Sequence, residues 1–310
     1  MKPILTLKNI TKNFGSRTVV DSLNLDIMDG EIFGLVGVNG SGKTTILRLI
    51  IGFYAADNGE ILFNSQPFSR VQDIRRKFGV ATQDKCFYPN LTVKENVEHF
   101  GKLYGMGDSE LQESIKDTLK LVELYDVRDM LARKLSGGMQ KRVDIACAIV
   151  HSPQIIVLDE PTSDLDVFLR KDMISLIKLI NTAGITVVVS SHLLNELEGL
   201  CHRIGILDKG KLLKVAAPAQ LRKEYARLAE VHITTSPGYY KRMIPLLKER
   251  SLNVDSLTVL DEKMIIHTNA VEPILNALPR ILSESKESLV SVDVKRPSLE
   301  DVFEAVVKGP

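Results

Sequence analysis

Apolar and polar positions alternate between residues 4 and 27, with Ile4, Leu5, Leu7, Val19, Leu23, Leu25 and Ile27 on the apolar side. That rhythm predicts antiparallel strands with one wet face. Three later runs are apolar or β-branched throughout: Ile32–Val36, Ile155-Ile156-Val157-Leu158 and Ile185-Thr186-Val187-Val188-Val189. Such runs belong at the centre of a parallel sheet covered on both faces. Over 93–132, Leu103, Leu111, Ile115, Leu119, Leu121, Val122 and Leu124 recur at mixed helical spacings. They predict a helical insert, about 86–150 in all, between the strand-forming halves. Leu221–Leu228 reads as the last helix of this first domain.

From residue 229 the rhythm changes. Val231–Thr235 reads as a strand and Tyr239–Arg250 as a helix. Leu252–Leu260 and Met264–Thr268 read as strands parted by Asp261-Glu262-Lys263, Val271–Glu284 as a helix and Leu289–Lys295 as a strand. Pro297 opens a final helix with Ser298 near its start. The order β-α-β-β-α-β predicts a small ferredoxin-like α+β domain with an added helix. The expected organisation is therefore 1–228, an α/β domain with a mainly parallel central sheet, an antiparallel β subdomain and a helical insert, followed by 229–310.

Composition removes some functions. The 310 residues hold 40 Lys and Arg against 39 Asp and Glu, so a broad nucleic-acid-binding surface is not expected. No apolar run approaches the ~20 residues that span a bilayer, and Met1-Lys2-Pro3-Ile4 has no secretory pattern. The chain is expected to be cytoplasmic and to act at a membrane only through a partner. Cys86, Cys147 and Cys201 are odd in number and scattered, which predicts reduced, mostly buried thiols.

Ligands of open parallel sheets gather beyond the carboxyl ends of the strands. The first apolar strand ends in Gly37-Val38-Asn39-Gly40-Ser41-Gly42-Lys43-Thr44, ahead of a predicted helix over Thr45–Ile51. Glycines let backbone N–H groups turn inward around a polyphosphate at the positive end of that helix. Lys43 can reach the β- and γ-phosphates, and the Thr44 hydroxyl can ligate Mg²⁺. The second strand ends in Asp159-Glu160; Asp159 is assigned to the metal and Glu160 to the attacking water. The third leads through Ser190-Ser191 to His192, placed to sense the γ-phosphate, although position alone leaves it equally readable as structural. In Leu135-Ser136-Gly137-Gly138-Met139-Gln140, Ser136 reads as the N-cap of a helix running to about Val150. A serine and two glycines there form either a plain helix cap or a second phosphate cradle, used by one chain to close the site of another.

Together these motifs resemble the ATP-binding subunit of an ABC transporter over about residues 4–225, implying a P-loop NTPase fold. Gly37–Thr45 is similar to Walker A, so Gly37, Val38, Asn39, Gly40, Ser41, Gly42, Lys43, Thr44 and Thr45 are the expected ATP-binding residues. Leu135–Gln140 resembles the signature motif, adding Ser136, Gly137 and Gly138. Ile155–Glu160 resembles Walker B with its catalytic glutamate, and His192 resembles the switch histidine. Gln83, in Ala81-Thr82-Gln83-Asp84, is similar to the Q-loop glutamine that touches Mg²⁺ and communicates with the membrane subunit. Phe14 stands where an aromatic ring stacks on adenine. Ser163-Asp164-Leu165-Asp166 stands at the D-loop, with Asp164 in place of the usual small residue.

The resemblance implies ATP hydrolysis with Mg²⁺ on Thr44, Gln83 and Asp159, a second cassette forming a homodimer, and a membrane-spanning transporter subunit. The chain would then be peripheral on the inner face of the cell membrane, with a short partner helix received around Gln83 and Cys86–Leu91. Tyr88–Asn96 and Pro297–Phe303 resemble the branch that exports drugs, lipids or polysaccharides. Cys201-His202-Arg203 departs from the Cys-Asp-Arg of the family, and His202 reads as a surface substitution without catalytic meaning. The competing readings are a soluble ABC ATPase acting on ribosomes or DNA, and an importer ATPase with a regulatory C-terminal domain.

Overall fold

A computed structural model describes residues 2–71, 73–225, 229–249, 252–260, 263–295 and 299–308. The chain divides into two compact units, Met1–Pro218 and Ala219–Pro310. This division and the sequence boundary at 228/229 differ by the helix that begins at Pro218.

The described residues of the first unit carry strands β1 (Pro3–Phe14), β2 (Arg17–Met28), β3 (Ile32–Val36), β4 (Asn58–Phe63), β5 (Gln66–Pro67), β6 (Phe78–Ala81), β7 (Ile155–Asp159), β8 (Thr186–Ser191), β9 (Arg203–Asp208) and β10 (Lys211–Ala216). β1, β2, β4 and β5 form an antiparallel sheet in the order β2-β1-β4-β5. Their Ile4, Leu5, Leu7, Leu23, Leu25 and Ile27 are buried, as the alternating pattern requires. The second sheet runs β10-β9-β3-β8-β7-β6, parallel except for the edge strand β10. The three apolar runs are β3, β7 and β8, adjacent at its centre in the order β3-β8-β7. β6 and the β9–β10 hairpin are additions that periodicity did not signal.

Helices α1 (Lys43–Ile50), α2 (Val93–Leu103), α3 (Asp108–Leu121), α4 (Gly137–Ile149), α5 (Val167–Thr182) and α6 (Leu194–Glu198) complete this unit. α1 starts two residues earlier than its apolar pattern suggests, because Lys43 and Thr44 already lie in its first turn. α2 opens on a capping box, Thr92 with Glu95, which fixes the start of the insert. Val93, Val97, Leu111, Ile115 and Leu119 are buried, whereas Leu103, which helical spacing grouped with them, is 67% exposed at the end of α2. Cys147 and Cys201 are buried and Cys86 is exposed, so the thiols are mostly buried, as expected.

Helix α7 (Pro218–Tyr225) leads into the second unit; Leu228, the predicted end of that helix, lies outside the described residues. Strands β11 (Ala229–Ser236), β12 (Val254–Leu260), β13 (Lys263–Thr268) and β14 (Ser288–Lys295) form an antiparallel sheet in the order β12-β13-β11-β14. With α8 (Met243–Glu249) and α9 (Val271–Ser285) between strands, this is a split β-α-β layer. Val231, Ile233, Met264 and Ile266 pack with Met243, Leu247, Ile274, Leu278 and Ile281. The predicted helix from Tyr239 opens instead as a 3-10 turn at Tyr240–Arg242 before α8. The last helix, α10, is Leu299–Lys308; Pro297 and Ser298 lie outside the described residues.

Candidate functional site

β3 delivers the chain into the glycine loop and α1 takes it away. Gly42, the N-cap of α1, has φ 110°, a left-handed geometry that a side chain would resist, and a Cβ there would meet the Val19 carbonyl at 3.0 Å. Having no side chain, Gly42 leaves the first N–H groups of α1 available to an anion. Lys43 is buried; its Nζ donates to the Gly37 carbonyl at 2.7 Å and stands 3.7 Å from Glu160 Oε1. The Ser41 hydroxyl is buried with no hydrogen-bond partner. A buried, unpartnered hydroxyl beside a buried ammonium and free helix N–H groups fits a polyphosphate.

β7 brings the carboxylates alongside. Thr44 Oγ1 donates to Asp159 Oδ2 at 3.0 Å, and Ser190 Oγ on the neighbouring β8 donates to Asp159 Oδ1 at 2.5 Å. Glu160 is buried in a left-handed backbone position (φ 51°), and its N–H donates to the Ser190 hydroxyl at 3.1 Å. His192 Nδ1, just past the end of β8, lies 2.8 Å from Glu160 Oε2. The general-base candidate is therefore held between a cation and an imidazole, with the metal candidate one residue before it. The hydroxyl of Thr44 and the carboxylate of Asp159 are hard oxygen donors, the type that Mg²⁺ takes alongside substrate phosphates.

Among the described residues, Asn39, Gly40, Gly42, Lys43, Thr44, Thr45, Gln83, Asp159 and Glu160 line one cavity of about 320 Å³. Arg17 and Val19 of β2 line it too. Sequence reading missed both, since β2 lies beside the loop only in three dimensions; its one signal was a cation just after the predicted aromatic at Phe14. Val38, within the loop itself, is 52% exposed. Ser136, Gly137, Gly138, Phe14 and His192 are not part of the lining. Ser136 caps α4, its hydroxyl accepting from Met139 N–H at 3.3 Å. Phe14 is half exposed at the end of β1, beside Tyr54. A larger cavity, about 810 Å³ and lined by Glu110, Glu113 and Asp117 among others, contains none of the predicted site residues.

Two residues that depart from the resembled pattern have definite places. Asp164 adopts φ 62°, a left-handed position that Asp tolerates better than most side chains, and Asp166 caps α5 by accepting from Phe168 and Leu169 N–H. His202 is exposed, as a surface substitution should be, and has a structural partner: its Nδ1 accepts from Ile32 N–H at 2.9 Å, and its own N–H donates to the Ile32 carbonyl. It seals the start of β3.

A glycine loop joining a central parallel strand to a helix, with an acidic pair on a nearby strand of the same sheet, defines a P-loop NTPase of the α/β class. The family described as ABC transporter matches residues 20–163. The chain is 30% identical to the linearmycin resistance ATP-binding protein LnrL of Bacillus subtilis, over 97% of each chain. It is 39% identical to the spermidine/putrescine import ATP-binding protein PotA of Pseudomonas aeruginosa, over 70% of this chain and 60% of PotA. The solved dimeric post-hydrolysis structure of the ATP-binding cassette MJ0796, bound to ADP and Pi, matches at 31% identity with a TM-score of 0.61, covering 69% of this chain and 98% of that one. The protein belongs to the ABC transporter family: it is an ATP-binding, ATP-hydrolysing transporter subunit. No helix among the described residues is long and apolar enough to cross a membrane.

Proposed function

We propose that this chain is the motor of an exporter, working as a head-to-tail pair of cassettes on a membrane-spanning partner at the inner face of the membrane. The observation that carries the reading is a division within one chain. Lys43, Thr44, Gln83, Asp159 and Glu160 share a cavity, while the serine and glycines at the start of α4 stand apart from it. A second copy supplying Ser136, Gly137 and Gly138 would complete the site. Export is supported by the extent of likeness: LnrL, named for resistance, matches through the second unit, whereas PotA, named for import, matches over 70% of this chain.

In this reading Lys43 and the α1 N–H groups bind the β- and γ-phosphates of ATP, and Ser41 donates its free hydroxyl to them. Thr44, Asp159 and Gln83 would hold Mg²⁺, which supplies charge neutralisation at the phosphates when bound. Ser190 orients Asp159 by occupying its second oxygen. Glu160 takes the proton of the attacking water, and His192 steadies that carboxylate through Oε2. Phe14 stacks on adenine.

Mixing two inactive variants tests the pairing. Lys43→Ala removes phosphate binding, and Gly138→Asp spoils the start of α4, where even a Cβ would meet Leu169 Cδ2 at 3.0 Å. Neither should dimerise with ATP alone, yet the mixture should form one intact composite site and recover partial ATP-dependent dimerisation. Undiminished dimerisation of Gly138→Asp by itself would remove the trans role.

A further inference from the structure

Phe14 lies at the end of β1 with 45% of its surface exposed, and its ring is braced by a neighbour. Tyr54 meets it edge-on, 5.3 Å between centroids at an interplanar angle of 74°. Tyr54 is itself fixed to α1. Its hydroxyl accepts from Arg48 Nη1 at 3.1 Å, the Arg48 guanidinium lies 5.8 Å from its ring centroid, and its N–H donates to the Arg48 carbonyl at 3.1 Å. Asp57 fastens the strand to the same segment: its carboxylate accepts from Asn13 N–H at 2.5 Å and pairs with Lys12 Nζ at 2.9 Å.

We propose that Tyr54 is a positioning residue that aims Phe14 at the nucleotide base and ties it, through Arg48 and α1, to the phosphate loop. The inference rests on the reading of Phe14 as the base-stacking residue. A phenylalanine has no polar atom with which to anchor itself, so its orientation comes from what packs against it; an edge-to-face pair fixes a ring by its quadrupole as well as by contact. Arg48 follows Lys43 by five residues on one helix, about 7.5 Å along its axis at the usual rise. Base platform and phosphate cradle thus share a rigid spacer, and a ring held in place before binding loses less freedom on binding.

Calorimetric titration of the full chain with ATP and with inorganic tripolyphosphate, in one magnesium buffer, tests this. Tyr54→Ala should raise the Kd for ATP roughly threefold to tenfold, the usual worth of an aromatic pair, and leave that for tripolyphosphate unchanged. Tyr54→Phe, which keeps the ring, should restore most of the ATP affinity. An equal loss for both ligands would make Tyr54 a mere support of α1 and overturn the proposal. So would wild-type ATP affinity in Tyr54→Ala while Phe14→Ala weakens ATP alone. If Phe14→Ala itself leaves ATP binding intact, the base-stacking reading falls first and the inference with it.

Discussion

Glu160 takes a backbone position that non-glycine residues occupy only when their surroundings impose it, and here they do. Its N–H is held by Ser190, one carboxylate oxygen faces His192 Nδ1 at 2.8 Å, and the other faces Lys43 Nζ at 3.7 Å. Glu160→Gln keeps the shape and the acceptor toward His192 but removes the proton acceptor, so turnover should fall by at least ~10²-fold while ATP affinity persists. Steady-state hydrolysis beside equilibrium ATP binding checks this; hydrolysis at the wild-type rate would place the base elsewhere. His151 lies outside the site and reports on the fold. Its ring stacks on Tyr104, 3.5 Å between centroids, with Nε2 3.1 Å from the Phe78 carbonyl. Burial pushes its pKa down to about 4, against the opposing pull of that carbonyl. The folded value lies below the unfolded 6.5, so as pH falls the unfolded chain takes up this proton first. The contribution is present above about pH 6.5 and is lost toward pH 4, a few kcal/mol at most at roughly 1.4 per unit. Urea unfolding at about pH 7.5 and 5 should show part of that loss, and His151→Gln should flatten it.

The β9–β10 hairpin, invisible to periodicity, clamps the phosphate loop. Gly210 in its turn (φ 80°) donates its N–H to the Ser41 carbonyl at 2.9 Å, and its carbonyl accepts from Asp21 N–H at 3.0 Å. A Cβ there would stand 2.4 Å from the Val19 carbonyl. Gly210→Ala should therefore destabilise by about 1–3 kcal/mol and weaken ATP binding by displacing Ser41. Gly184→Ala shares the positive φ without any neighbour within 4 Å, and should cost less and spare the nucleotide. Comparing the two in urea unfolding and ATP titration separates collision from backbone strain; equal effects would leave the clamp without meaning. The hairpin escaped sequence reading because Lys211–Ala216 is an edge strand of mixed polarity. β3, β7 and β8 were legible because central parallel strands, covered on both faces, tolerate almost nothing but apolar and β-branched residues.

Between the site and the insert, the segment after Gln83 is laced to α4. Asp144, whose carboxyl is pushed upward by burial, accepts from the N–H groups of Cys86 and Phe87 at 2.9 and 3.2 Å, and Lys141 Nζ donates to the Gln83 carbonyl at 3.0 Å. Tyr88 follows, 49% exposed and edge-on to His99. A membrane partner docking here would meet a surface fastened to α4, the helix capped by Ser136. Tyr88→Glu should weaken cofractionation with membranes, or uncouple transport in vesicles carrying the partner, while leaving ATP binding nearly intact; normal association and transport would move the docking surface elsewhere. Leu91 is a poorer probe, being half-buried with its carbonyl bonded to Ala132 N–H.

The glycine loop, the acidic pair and the serine-capped start of α4 could be recognised along the chain because each needs its groups within a few consecutive residues: neighbouring N–H groups for a phosphate, adjacent carboxylates for metal and water, a cap one residue before its helix. Their mutual placement was decided only by folding. Ser190 reaches Asp159 across 31 positions, His202 reaches Ile32 across 170, and Val19 comes against Gly42 and Gly210 through the packing of separate sheets. No local period encodes such a meeting, since it depends on which strands lie side by side and in what register.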